Sequence, residues 1–556
     1  MKYRLLRIFF LTGLLLAGCG QGKDDRHENE PPAHSRRPKD FEPFKYEFSL
    51  DQLKDNFSEE MMLRAARMGE KIRDVNEKGV WKPDLKSIEE HQCPEWFNDA
   101  KFGMFIDWGP WSVAGWAPPK EGIAMYPDWY EFNIYGDKAD REYHNKYWGE
   151  DVERDDFLSL FTNSLYDPDQ LTDIALKAGM KYVVPFAKHH GGFCLWPSSF
   201  THRNAELMGP RRDLIGPLKE ACTEKDLKFG FYFSLGEWEY PLMDSNGDLQ
   251  IRHWDRWSES NEYIATYNGP YEEHMERLIS GKVAVRDYSN DYLIPQAVEF
   301  IDMYDPDILW FDGDWYNTLE EFGTLNTVSY FYNNASGRKE VAVNDRLGEI
   351  GGTFSRGQCG DFYTSEYHTK HSDYSTHLWE ECRGISESFG YNWQDTEESV
   401  ISTQEFINMF LDIVSGGGNL LLIVNLDGRG DLPDIQEKRL ESIGQWLKVN
   451  GEGIYKTRSY MTSREGTMRF TRSRDKQIVY AISTVWPGKS LNIKSVTPRE
   501  GSKIYMLGDE DPLKWKYDPD NGITIEIPNR FQNESNRPCK YAYTFRIENK
   551  QDISTN

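Results

Sequence analysis

The chain carries two kinds of apolar pattern. In its first part, continuous strand-length runs recur at Phe102–Ile106, Tyr182–Phe186, Phe229–Leu235, Ile308–Phe311, Val341–Val343 and Leu420–Val424. Runs that do not alternate suit strands buried on both faces of a parallel sheet. Capped helical patterns lie between them. Asp167-Pro168 opens one that ends at Gly179, and a second runs from Ile294 to Tyr304 and stops at Asp305-Pro306. The capping box Ser402-Thr403-Gln404-Glu405 starts a third, which reaches Gly416. Alternation of this kind predicts an α/β fold, a (β/α)8-like barrel with insertions, over 45–454. After about Tyr455 the texture changes. Met468-Arg469-Phe470, Ile478–Ile482, Leu491–Ile493 and Ile523–Ile527 are short, several alternate, and turn residues separate them. That predicts a C-terminal antiparallel β-sandwich over 455–556.

The N-terminus, MKYRLLRIFFLTGLLLAGCGQGKDD, follows neither pattern. Lys2, Arg4 and Arg7 precede an apolar stretch from Ile8 to Leu16, which is too short to cross a bilayer of about 30 Å as a helix. It ends in Leu16-Ala17-Gly18-Cys19, which resembles a bacterial lipobox. The expectation is a signal peptide over 1–18, Cys19 as the lipidated first residue of the mature chain, and a flexible Pro-rich tether over 19–44. Lys23-Asp24-Asp25 is similar to the acidic export tag of Bacteroidetes surface lipoproteins. The expected location is extracytoplasmic, anchored by lipid to a bacterial membrane.

Composition narrows the function. With 38% hydrophobic and 14% aromatic residues, the chain can bury a large core and is not globally disordered. Asp and Glu number 91 against 65 Lys and Arg, a net charge of −26, which excludes a nucleic-acid partner held by clustered cations. Seven cysteines in 556 residues, with no CxxC spacing, form neither a disulfide framework nor a zinc ribbon.

In a barrel the chemistry belongs at the C-terminal strand ends. Those ends read FGMFIDWG with Asp107, VVPFAKHHGGF with Lys188, His189 and His190, and FGFYFSLGEW with Glu237 and Trp238. Further on come ILWFDGDW with Asp312 and Asp314, VAVNDR with Asn344, Asp345 and Arg346, and DFYTSEYH with Glu366. Carboxylates, His, Arg and Trp facing one mouth suit a sugar. Trp stacks on C–H faces, charged side chains bind hydroxyls, and a carboxyl pair cleaves the glycosidic bond.

The series KFGMFIDWG, AGMKYVVPFAKHHGGFCLWPS, FYFSLGEW, YDPDILWFDGDW, SFGYN and SGGGNLLLIV spans about 350 residues. It resembles the α-L-fucosidases of glycoside hydrolase family 29, with their barrel and C-terminal β-sandwich. The resemblance implies an exo-acting, retaining, cofactor-free glycosidase whose partner is a carbohydrate ending in L-fucose or a close analogue. Asp312, at the LWFDG-like strand end, takes the nucleophile's position. Glu366 matches the general acid/base of some members, with Glu237 its rival and Asp314 structural. Tyr363 and Tyr367 beside Glu366 are expected to desolvate it. The implied sugar-binding set is Asp107, Asp128, Trp129 (PDWY, similar to the family's EWY), His189, His190, Trp238, Arg346 and Phe389. Adjacent His189 and His190 can both reach a ligand only where their strand ends. Arg346 is expected to keep the nucleophile ionised. His189 and His190 with His368 and His371 could suggest a metal, but the family is metal-free and no metal-ligand spacing occurs.

Three departures from the family pattern stand out. Asp107 replaces a sugar-binding His (FIDWG for FIHWG), Gly191 replaces the Asp of KHHDGF, and Phe233 replaces a Tyr of YYS. Asp107 adds an acceptor and Gly191 adds room, so α-L-galactose, which is L-fucose with a hydroxyl at C6, is a candidate substrate beside α-L-fucose. A catalytically silent surface glycan-binding lipoprotein is the alternative from another class.

Overall fold

The structure is a computed structural model that describes residues 30–45, 58–119, 124–243, 249–253, 285–315, 317–367 and 377–550. Eight parallel strands form its first sheet: β1 (Phe102–Asp107), β2 (Tyr182–Lys188), β3 (Lys228–Ser234), β4 (Ile308–Asp312), β5 (Ala342–Val343), β6 (Tyr363–Glu366), β7 (Trp379–Gly384) and β8 (Asn419–Asn425). They run in the order β6-β7-β8-β1-β2-β3-β4-β5. A parallel bridge from Asn344 to Phe362, with Asp361 N–H donating to the Val343 carbonyl at 2.8 Å, joins the two ends and closes the barrel.

The continuous apolar runs resolve into two faces. Tyr182, Val184 and Phe186 of β2 and Ile308 and Trp310 of β4 pack inside the barrel, while Val183, Ala187, Leu309 and Phe311 meet the helices. A period of two therefore exists, hidden because both faces are apolar. It decides the site: counting on from Ile308 and Trp310 turns Asp312 inward at the mouth. Gly103 serves the same interior, since a Cβ there would lie 2.3 Å from the Tyr182 ring.

Six helices follow barrel strands: Pro168–Ala178, Ile215–Glu224, Ile294–Tyr304, Thr324–Ala335, Thr403–Ser415 and Asp434–Asn450. The predicted caps form. Asp167 accepts from Gln170 N–H at 3.1 Å and Gly179 ends that helix at φ 90°, while Ser402 and Glu405 close their box reciprocally. No helix links β5 to β6 or β6 to β7 among the described residues; a short hairpin, Glu349–Ile350 with Thr353–Phe354, occupies part of the first connection.

The C-terminal unit has a five-stranded and a three-stranded antiparallel sheet around an apolar core that includes Phe470, Ile493, Ile525 and Phe545. It docks on the barrel through Arg469 to Asp412, Arg458 to Asp99 at 2.9 Å, and the Trp446 indole N–H to the Ala542 carbonyl at 2.9 Å.

One expectation is corrected. The segment assigned to the tether is held to the barrel from residue 30 onward. Arg37 pairs with Asp151 through two bonds (2.6 and 2.9 Å), His34 lies 3.5 Å from Asp427, and Phe44 N–H donates to Asp156 at 2.9 Å. Low hydrophobicity disfavours a core but leaves charged side chains free to dock on a finished surface. Cys19 and the signal segment lie outside the described residues, as do His368 and His371.

Candidate active site

The mouth of the barrel holds a cavity of about 340 Å³, at the small end for a ligand pocket and suited to one sugar ring. Its polar wall comprises Asp128, Asn133, His189, His190, Tyr232, Asp312 and Glu366, and its apolar wall includes Ala117, Pro118, Met125, Phe186 and Phe389. Tyr126, Trp129 and Trp315 complete it.

Asp312 ends β4, and Gly313 follows at φ 69°, so the chain turns away and leaves the carboxylate facing the cavity. Its Oδ1 accepts from Arg346 Nη1 at 2.7 Å and its Oδ2 from the Tyr232 hydroxyl at 2.8 Å. His190 Nε2 and Arg356 Nη2 each lie 3.7 Å away. Burial by itself would raise this carboxyl, but the Arg346 guanidinium foremost, with Arg356 beyond it, outweighs burial and holds Asp312 well below the usual carboxylate range.

Arg346 reaches the centre from the chain after β5 and serves two carboxylates at once: Nη1 meets Asp312, and Nη2 lies 2.6 Å from Glu366 Oε1. Its guanidinium sits 4.6 Å over the Trp310 ring, and its Nε donates to Thr364 Oγ1 at 2.9 Å. Thr364 in turn gives its hydroxyl and N–H to Asp345 Oδ1, at 2.7 and 3.0 Å. Thr364 on β6 thus orients the Nε edge of the fork, while Asp312 at the end of β4 receives Nη1. Glu366 ends β6, and its side chain is 29% exposed against 12% for Asp312. The two carboxyls thus occupy a closed and an open side of one cavity.

β2 ends at Lys188, so His189 and His190 escape the strand's alternation and both line the cavity. Burial pushes each imidazole down to about 3, so both are neutral at ordinary pH. His190 Nδ1 bonds Ser234 Oγ at 2.5 Å, and His189 Nε2 lies 3.3 Å from Asp128 Oδ2. Burial raises Asp128 to about 7. His189 Nδ1 and Asp128 Oδ1 have no hydrogen-bond partner among the described residues, which leaves two polar atoms suited to sugar hydroxyls. Trp129 stands beside them, 5.3 Å from the His190 ring. Phe389 is brought in by its N–H on the Met125 carbonyl at 2.7 Å and by Asn425 on its carbonyl.

Several expectations are corrected by this geometry. Asp107 faces inward but does not line the cavity. The carboxylate is short, is fully buried, and accepts from the Trp111 indole at 2.8 Å, so Trp111 and His189 (rings 4.9 Å apart) stand where a longer side chain would reach. Trp238 also lies behind the wall, backing Trp129 at 5.7 Å and His189 at 5.8 Å. Gly191 opens no room for sugar. A Cβ there would meet Trp238 at 3.3 Å and Arg203 at 3.6 Å, and Arg203 holds the Gly191 carbonyl. Phe233 faces the helices under the Lys188 ammonium at 4.2 Å. Glu237 is outside the barrel wall, bonded to Lys188 at 2.9 Å and Tyr292 at 2.7 Å. Asp314 is held by Arg356 at 2.9 and 3.3 Å, a structural pair as expected. Tyr363 stacks on His377 and the Tyr367 hydroxyl accepts from Gly384 N–H, so Arg346, and not these tyrosines, is the neighbour that characterises Glu366.

Tyr232, Ser234, Arg356 and Thr364 were absent from the predicted set. For the first two a signal existed, since Tyr232 and Ser234 share the inward parity of β3. Arg356 comes from the connection between β5 and β6, whose path the sequence pattern does not reveal, while Thr364 lies on β6 itself, two residues before Glu366 and on the same face of the strand. Among the described residues no cluster of His, Cys, Asp or Glu has metal-holding geometry.

Comparison with known proteins bears on most of the chain. The α-L-fucosidase family profile matches residues 70–452, and that of the α-L-fucosidase C-terminal domain matches 462–548. Human tissue α-L-fucosidase is 30% identical over 486 residues, covering 86% of this chain and 94% of the relative. Human plasma α-L-fucosidase is 29% identical over 482 residues, covering 84% and 92%. The crystal structure of Thermotoga maritima α-fucosidase in complex with a mechanism-based inhibitor superposes with a TM-score of 0.67 at 32% identity, covering 84% of this chain and all of that one. The chain therefore belongs to the α-L-fucosidase family of glycoside hydrolases, as an enzyme with the family's barrel and C-terminal β domain.

Proposed function

We propose that the enzyme removes terminal α-L-fucose with retention, using Asp312 as nucleophile and Glu366 as general acid/base. The observation that carries this reading is the Arg346 guanidinium, which holds both carboxyls at one cavity. Asp312 stays ionised beside Arg346, and Tyr232 and Arg346 aim its oxygens. In the first step an Asp312 oxygen attacks the anomeric carbon while protonated Glu366 gives its proton to the departing glycosidic oxygen. In the second step Glu366, now a carboxylate, takes a proton from water as the water oxygen attacks the same carbon and releases Asp312. Glu366, on the open side, meets both the leaving group and the water. Neutral His189 and His190 can donate or accept at sugar hydroxyls without placing a charge beside the oxocarbenium-like transition state. The relative from Thermotoga maritima is described with a mechanism-based inhibitor, which accords with a trapped glycosyl-enzyme.

L-Fucose is the preferred sugar. The walls offered by Phe186, Phe389 and Met125 suit a bare C6 methyl, whereas Asp107 and Gly191, on which a 6-hydroxyl depended, stand off the cavity. Hydrolysis of nitrophenyl α-L-fucoside well above the α-L-galactoside is expected, and a preference for the galactoside would overturn the choice of sugar. Labelling with a 2-fluoro-fucosyl fluoride followed by peptide mapping should place the sugar on Asp312. A label elsewhere would overturn the mechanism.

The lipobox-like Leu16-Ala17-Gly18-Cys19 supports an extracytoplasmic enzyme anchored through Cys19. Cys19→Ala should leave the protein unlipidated and released from membranes, as read by mass spectrometry and fractionation. Unchanged membrane retention would overturn the anchor.

A further inference from the structure

Resting on the fucosidase reading, we infer that Arg203 is a positioning residue of the enzyme. From behind the cavity wall it holds the turn carrying His189 and His190 against the element carrying Asp128 and Trp129. Residues 189–192 form that turn at the end of β2, with Gly192 at φ 76° and its N–H donating to the His189 carbonyl at 2.9 Å. The His190 carbonyl accepts from Trp238 N–H at 2.9 Å. The Gly191 carbonyl is held by a side chain, through Arg203 Nη1. A Cβ on Gly191 would lie 3.3 Å from Trp238, 3.5 Å from Glu131 and 3.6 Å from Arg203, so these groups close directly on its backbone.

The other nitrogens of Arg203 face carboxylates. Nη2 and Nε both meet Asp155, Nε at 3.4 Å, and Nη2 lies 3.9 Å from Glu131 Oε1. All three side chains are buried, and Arg203 is fully so. Glu131 belongs to the helix Tyr130–Gly136, which continues directly from the Pro127–Trp129 turn that supplies Asp128 and Trp129 to the cavity. The backbone of Arg203 is itself pinned. Its carbonyl accepts from Cys194 N–H at 3.1 Å, and its N–H donates to Thr201 Oγ1 at 3.1 Å. One guanidinium thus spans the two elements across which His189 Nε2 faces Asp128 Oδ2 at 3.3 Å. Burying three charges costs desolvation that apolar packing avoids. What a rigid fork supplies in return is a fixed spacing between the segments it joins.

Arg203→Lys and Asp155→Asn would be assayed on nitrophenyl α-L-fucoside, with active enzyme counted by the 2-fluoro-fucosyl fluoride label. A lysine serves one partner and releases the others, so KM should rise about tenfold while kcat per labelled site changes less than about twofold. A protein that merely folds less well loses labelled sites and keeps its KM. In a His189→Ala background, Arg203→Lys should raise KM less than about twofold further, because the side chain it positions is gone. Should Arg203→Lys fail to fold, Asp155→Asn, which keeps the guanidinium and weakens its anchor, carries the test. Unchanged KM in a variant that folds, a fall confined to kcat, or full additivity with His189→Ala would overturn the inference. If the wild type cleaves no α-L-fucoside, the fucosidase reading fails instead, and the crystal structure of the variant that folds decides the role of Arg203. Separation of His189 Nε2 from Asp128 Oδ2 beyond about 3.5 Å supports it. The 3.3 Å spacing kept unchanged overturns it.

Discussion

Asp312 and Asp107 make an instructive pair. Both end barrel strands, both face inward, and both are buried. Asp312 has a guanidinium and a phenol on its oxygens and is held ionised. Asp107 has a single indole N–H, and its Oδ2 has no hydrogen-bond partner among the described residues. Burial foremost, with Asp128 nearby, pushes it well above the carboxylate range. Position in the fold is thus shared, while protonation state and role are set by what other segments deliver to each oxygen. A buried carboxylate without a cation is costly, and the proton is its cheapest partner.

The largest effect expected from breaking this contrast is at Asp312. Asp312→Asn keeps the shape and removes the proposed nucleophile, and turnover of any α-L-fucoside should fall by at least about 10³-fold. A variant with near-normal turnover would remove Asp312 from the mechanism.

Arg346→Lys should come next. A point charge can serve one carboxylate well but cannot bridge two, so kcat/KM should fall by about 10²-fold. The pH profile carries the sharper information. Arg346 depresses the Asp312 pKa, and weakening that contact lets burial raise it, so the acidic limb must move to higher pH. A limb that stays in place would show that Asp312 is not the group titrating there.

Asp107→Asn should have the smallest effect, and on stability in preference to activity. A carboxyl whose pKa is raised on folding binds more protons in the folded than in the unfolded state, so its contribution to stability falls as pH rises above the unfolded value of about 3.9. Asn carries no charge at any pH. The variant should therefore gain on the wild type as pH rises from 5 towards 8, by about 1.4 kcal/mol for each pH unit over which Asp107 keeps its proton, as followed by thermal melts. A pH-independent difference would mean that Asp107 is ionised in the fold.

Much of this was legible along the chain. Continuous apolar runs, capped helices and the change of texture near Tyr455 specify a barrel followed by antiparallel sheets, because both-face burial and turn chemistry are local properties. The strand ends carried Asp312, Glu366, His189, His190 and Arg346, and the resemblance added Asp128, Trp129 and Phe389; all but Arg346 line one cavity, and Arg346, expected to meet Asp312 alone, meets Glu366 as well. The same reading placed Asp107 and Trp238 one layer too far forward and missed Tyr232, whose parity on β3 was available.

The sequence by itself determined which residues end strands and which way they face, since a period of two and a cap or glycine suffice for that. Only the tertiary structure decided which of those inward groups reach the cavity and what sits against each one. Reach depends on side-chain length measured against a closed barrel, and partnership depends on segments distant in sequence. Arg346 is 34 residues from Asp312, and Pro32 shares a cavity wall with Trp393. No local pattern encodes such meetings, because they follow from how the strands close and the connections fold back over the mouth.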